Sequence, residues 1–277
     1  MVSSSYRLGI FGFPGASFLP ADNLGLLDQR LAIEWIRDNI AGFGGDPKRI
    51  VIAGDSAGGA SVDLYSYAWT KDPIVNGFIP MSGSAAAIPP IPYSKSNWYR
   101  LSEQLGCGSA SDREKTAQCL RTIPGKGVMK AVEALSTSGP MGAIMLFGPV
   151  ADNKICFSDY SSRSSAGNFI KRPMLVGNTD NERGLNTGMM GGMLKGTIAR
   201  GGAMGLLATM GQAAISYISS SPLVIGLMPF MDSMSTCPTA DAVEARRKNN
   251  VPAWRYRYFG EWENTNWFPG MVSERLP

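Results

Sequence analysis

Histidine is absent from all 277 residues. The imidazole that most often serves as a general base near neutral pH therefore cannot come from this sequence. Clustered positive charge is also scarce. Lys and Arg exceed Asp and Glu by 26 to 22, for a formal net charge of +4, and are scattered, so no stripe suits nucleic acid. The densest group, Arg246-Arg247-Lys248, reads as a solvated helix face or last turn. A continuous apolar span is missing as well. Residues 201–231 carry no charge, but glycines, Gln212, the serines from Ser219 to Ser221 and Pro222 interrupt them, which suits buried or lid helices better than a membrane crossing. The start offers one basic residue, Arg7, and a short apolar run from Leu8 to Phe13. That is too little for a secretory signal, and the run reads as a strand entering a loop. No metal and no cofactor is expected. With 44% hydrophobic and 17% charged residues the chain is an ordinary globular one, long enough for a single domain over residues 1–277.

What stands out is Ile50 to Gly59, where β-branched and small apolar residues end abruptly in Gly54-Asp55-Ser56-Ala57-Gly58. G-x-S-x-G after a strand and before a helix is a nucleophile elbow, a strained turn that holds a serine hydroxyl clear of its surroundings. Gly54 and Gly58 are expected to be glycine because a Cβ at either would crowd the approach of strand and helix. Ser56 is the candidate nucleophile, and the backbone N–H of Ala57, at a helix N-terminus, a candidate donor to an acyl oxyanion. Upstream, Leu31, Ala32, Trp35, Ile36 and Ile40 share a face at helical spacing and are expected inside, with Arg30, Glu34, Arg37 and Asp38 on a solvated side. Downstream, Ala60 to Trp69 continues as a helix and Val75 to Met81 as a buried strand. Helices are expected over 111–123 and 127–135, irregular segments over 148–152 and 157–163, and a strand from Lys171 to Gly177. A carboxylate just past such a strand is where this architecture puts a catalytic acid. The Met-rich 189–193 stretch and Met204 suggest an adaptable apolar surface.

Several stretches together resemble the type B carboxylesterases, a family that includes cholinesterases and several lipases. They are Tyr6 to Phe13, Asn23 to Arg30, Ala32 to Ile40, Phe43 to Pro47, Gly54 to Gly59, Met81 to Ser84, Gly177 to Glu182 and Val251 to Phe259. The resemblance implies an α/β-hydrolase fold, a mostly parallel sheet with helices on both faces, here with its N-terminal strands missing. It implies ester hydrolysis through an acyl-enzyme on Ser56, with Glu182 as the acid and Asp180 as the competing carboxylate. Ser82 is then either a hydrogen-bond partner of that acid or a turn serine. It further implies a disulfide between Cys107 and Cys119, against the alternative of two buried thiols, and nothing decides whether Cys156 and Cys237 pair. An oxidising, secretory setting follows.

Two departures accompany the resemblance. Family chains are considerably longer, with further oxyanion glycines expected upstream of Met1. The family's base is a histidine after the Trp254-Arg255-Tyr256 strand, where this sequence runs Met271 to Pro277 without one. The expectation is a carboxylic ester hydrolase acting on small-molecule esters or lipids and crippled as this chain. The alternatives are a catalytically dead cholinesterase-like binding protein or an incomplete gene product. An exposed sheet edge and apolar face, and hence poor solubility, are also expected.

Overall fold

A computed structural model describes residues 1–86, 90–136, 143, 145–179 and 236–259. They fall into two compact units, one holding the described residues of Met1–Gln29 and Pro90–Asn153, the other those of Arg30–Pro89, Lys154–Gly188 and Ile215–Pro277. Glu182, Asp180, the 189–231 stretch and the tail beyond 259 lie outside the described residues.

The second unit is built on four strands, β1 (Val51–Asp55), β2 (Gly77–Met81), β3 (Met174–Thr179) and β4 (Ala253–Tyr258), paired in that order and all parallel. Parallel strands need crossovers, and the first is α3 (Ala57–Ala68), which connects β1 to β2. The register aligns Ile52, Phe78, Met174 and Ala253 across the sheet. Phe78, Met174 and Val176 are almost fully buried and pack with Ile33, Val62 and Val243. Each such side chain contributes about 1.5–3 kcal/mol by leaving water. The opposite face is barer, with Val51, Leu175 and Trp254 exposed.

Helix α2 (Leu24–Asn39) turns a face to solvent that its pattern assigns to the core. Leu31 and Trp35 are 65% and 51% exposed, whereas Arg30 is 5% exposed. The guanidinium is satisfied by one neighbour on its own helix and by groups distant in sequence. It donates to Glu34 at 2.6 Å, to the Tyr65 hydroxyl at 2.8 Å and to the Asp72 carbonyl at 2.7 Å, pairs with the Asp72 carboxylate, and lies over the Trp69 ring. A helical wheel distinguishes two faces but not which of them finds partners.

Burial also acts on the phenols of this unit. It pushes Tyr65 from 10.0 up to about 12 despite the Arg30 cation beside it, and raises Tyr67 and Tyr160 too. A group whose folded value lies above its unfolded one contributes stability that is complete below pH 10 and lost as pH climbs towards the folded value. In an alkaline absorbance titration of the folded chain, Tyr65 is expected to remain largely un-ionised at about pH 11, one unit past the ordinary value, and Tyr67 and Tyr160 to ionise later than the exposed phenols among the nine tyrosines. Full ionisation there without unfolding would contradict their burial.

Two segments differ from their sequence reading. Residues 9–12 form a helical turn, α1 (Gly9–Gly12), and not a strand. Gly9 enters it at φ 54° and Phe13 N–H closes it on the Gly9 carbonyl at 2.8 Å. Within 157–163, residues from Tyr160 on are helical, α7 (Tyr160–Ala166), and Gly167 ends the helix at φ 69°. Its serine-rich sequence has little propensity of its own. Tertiary contacts override this, since Tyr160 is buried edge-on to Tyr67, ring centres 5.0 Å apart.

The first unit is helical, with α4 (Trp98–Gln104), α5 (Arg113–Thr122) and α6 (Gly125–Leu135) around Trp98, Leu101, Leu120 and Val132. Cys107 and Cys119 are disulfide-bonded, Cα atoms 5.4 Å apart. Cys156 and Cys237 form no disulfide; one is buried, the other exposed. Among the described residues no helix is long and apolar enough to cross a membrane.

Candidate active site

Ser56 sits between the end of β1 and the start of α3 with φ 55° and ψ −115°, a region that non-glycine residues rarely adopt. Its amide donates to the Met81 carbonyl at 2.8 Å, and its carbonyl accepts from Ala60 N–H at 2.9 Å. The backbone is thus pinned from β2 on one side and from α3 on the other. The side chain makes no capping bond to the helix, and Ser56 and Ala57 are both exposed. Ala57 opens α3, where a backbone N–H has no acceptor one turn back.

Three close backbone approaches set this geometry. A Cβ on Gly54 would lie 2.5 Å from the Gly58 carbonyl, as expected. One on Gly58 would meet nothing within 4 Å, so the predicted reason for a glycine there is wrong. The approach is one-sided, because Gly58 supplies the backbone that Gly54 must clear. The remaining constraints come from Gly59, which faces the Met81 backbone, and from Gly83, where a Cβ would overlap the Ser56 carbonyl. For Gly83→Ala we expect a loss of about 1–3 kcal/mol from overpacking against rigid backbone. Denaturant titration checks this, and an unchanged midpoint would mean that the loop can retreat from Ser56.

The next strands complete the edge. Met81 is level with Gly177 across β2 and β3, and Ser82, at φ 49°, donates its amide to the Gly177 carbonyl at 2.8 Å. Ser56, Ser82 and the end of β3 therefore meet at the carboxyl ends of adjacent parallel strands, where open α/β sheets form their ligand crevice. Strand β3 ends at this edge with Thr179, and Glu182 follows three positions later in the sequence, outside the described residues.

The pairing of Asp63 with Arg246 escaped the sequence reading. Arg246 belongs to α8 (residues 236–248). Arg246-Arg247-Lys248 is the last turn of that helix, one of the two expectations, but the Arg246 side chain is not solvated: it is 0% exposed and pairs at 2.8 Å with Asp63, itself 3% exposed. The signal was available, because Asp63 is the sole charge in the sequence of α3.

A serine turn at the carboxyl edge of a parallel sheet is a widespread arrangement, and similarity to known proteins narrows it. The model of the carboxylesterase family matches residues 1–197. A chlorogenic acid esterase of Aspergillus niger is 33% identical over all of this chain and 48% of its own length, and a secreted lipase of Gibberella zeae is 39% identical over 66% of this chain and 36% of its own. Among solved structures, a carboxylesterase of Geobacillus stearothermophilus superposes with a TM-score of 0.71 at 26% identity, covering 93% of this chain and 55% of that one. The chain thus spans about half the length, or less, of the curated relatives it matches. The parallel sheet with its crossover helix, the strand-to-helix serine turn and the match over residues 1–197 agree: the fold is that of the α/β-hydrolases, and the chain belongs to the carboxylesterase family.

Proposed function

We propose that this chain carries the nucleophilic part of a carboxylic ester hydrolase that works through a serine acyl-enzyme. Ser56 Oγ attacks the ester carbonyl, the alcohol departs with a proton, and water then releases the acid. Ala57 N–H is one donor to the oxyanion, and Glu182 is the carboxylate that orients an imidazole. The observation that carries this reading is the exposed Ser56 at φ 55°. A turn held in so unfavourable a conformation from both sides suits a hydroxyl that must stand free. No imidazole is available within these 277 residues, so the chain by itself is a severely impaired catalyst.

Substrates are small carboxylic esters or lipids. The names of the fungal relatives suggest phenolic-acid esters and acylglycerols as the first to try. The Cys107–Cys119 disulfide, together with relatives named as secreted, supports an oxidising, secretory setting.

An alkyl fluorophosphonate with imidazole as the added base, followed by peptide mapping, tests the nucleophile. The adduct is expected on Ser56 and is expected to vanish in Ser56→Ala. Labelling spread evenly over other serines would remove the proposal.

A further inference from the structure

Asp63 lies seven residues after Ser56, about two turns along α3. Its carboxylate joins three segments. One oxygen accepts from Arg246 of α8 at 2.8 Å, and the other accepts from the Ala85 N–H at 2.9 Å in the loop after β2. Ser66 ties the same group together, since its hydroxyl accepts from Arg246 at 2.8 Å. The guanidinium lies over the Phe169 ring, 4.9 Å from its centre, and its Nε is buried without a hydrogen-bond partner.

Such a pair is a poor device for stability alone. Desolvating both charges is costly, and apolar residues of similar volume often hold two helices together equally well. A carboxylate does, however, impose direction, and here it acts on one loop. Loop 82–85 is the loop whose Gly83 packs against the Ser56 carbonyl and whose Ser82 bonds to the end of β3.

We propose that Asp63 and Arg246 form a positioning pair for the serine turn: Arg246 fixes the Asp63 carboxylate, and the carboxylate holds loop 82–85 against the backbone of Ser56. Its consequence for acyl transfer rests on Ser56 being the nucleophile. Neither residue touches substrate.

Site-resolved hydrogen exchange on the 277-residue chain tests this. In Arg246→Met the amides of Ser56 and Ala85 are expected to exchange about tenfold faster, while Val176 and Tyr256 in the sheet change by less than about twofold, the pattern of a local opening. Phosphonate labelling of Ser56 is expected to slow in parallel. Arg246→Lys, which retains the cation, should recover part of the protection. Asp63→Asn keeps the shape and drops the charge; it should show the same selective loss by a smaller factor and decides the matter if Arg246→Met does not fold. Acceleration at all four amides alike, or none at Ser56 and Ala85, would overturn the proposal, as would a lysine variant no better than methionine. Selective exchange without any phosphonate adduct on Ser56 would instead remove the acyl-transfer reading and leave the pair as an organiser of the turn.

Discussion

The purified 277-residue chain is expected to hydrolyse p-nitrophenyl acetate no faster than its Ser56→Ala variant. A serine hydroxyl is a weak nucleophile until a base takes its proton as the new bond forms, and the members of a triad act as a unit. Loss of the histidine alone costs on the order of 10⁶ in turnover. The turn around Ser56 is in place, but the imidazole that serves this chemistry is not among these residues. Glu182 is no substitute. A carboxylate is far less basic than imidazole, and its proposed role is to orient one. What remains is the contribution of oxyanion donors and binding, of the order of 10³–10⁴ over water in enzymes that have lost their triad, and that residue of activity does not depend on the serine. Rates measured side by side for the two proteins decide the point. A Ser56-dependent rate in the ordinary enzyme range would require a base that the chemistry of these side chains does not suggest.

The second large effect concerns the first unit. Replacing Cys107 and Cys119 with alanine should cost about 3 kcal/mol in the chain-entropy treatment of a loop of this size. The sequence separation is 12, so the crosslink closes a short segment that includes the start of α5. Cys107 is buried in the same apolar cluster as Leu101 and Leu120, so loss of the bond also removes a packing constraint. Thermal unfolding followed by circular dichroism, with and without a reductant, is expected to show a lower transition for the reduced protein and for the double alanine variant. A transition that did not move would mean that the helices around Trp98 hold the loop without help.

How far the sequence disclosed this architecture depended on where the determining partners lie. The Ser56 turn was legible because its determinants are adjacent: a β-branched run, two glycines and a helix in unbroken order. Strands β1, β2 and β3 were legible for the same reason, whereas β4 was placed through the family resemblance at Trp254-Arg255-Tyr256. The helix beginning at Tyr160 was not, because it is stabilised by Tyr67, far off in sequence. Arg30 and Arg246 were both read as solvent-facing, since charge is ordinarily outside, and both are interior because each meets acids and aromatic rings from other segments. The glycines show the same division. Gly54 could be judged from its near neighbour Gly58, whereas the need for Gly83 appears only once β2 lies beside β1. Glu182 was identified by resemblance and continues to rest on it.

Leu31, Trp35 and Phe43 stand 65%, 51% and 74% exposed in one stretch of the second unit, with the Trp35 and Phe43 rings 6.1 Å apart. For anyone handling the protein this is a practical matter. Such a surface adsorbs to phenyl resin and to plastic, and sulfate salts used for precipitation or crystal growth strengthen that tendency. Replacing Trp35 or Phe43 with a hydrophilic side chain would be the first change to make before concentrating a sample, since neither ring belongs to the interior that holds the sheet.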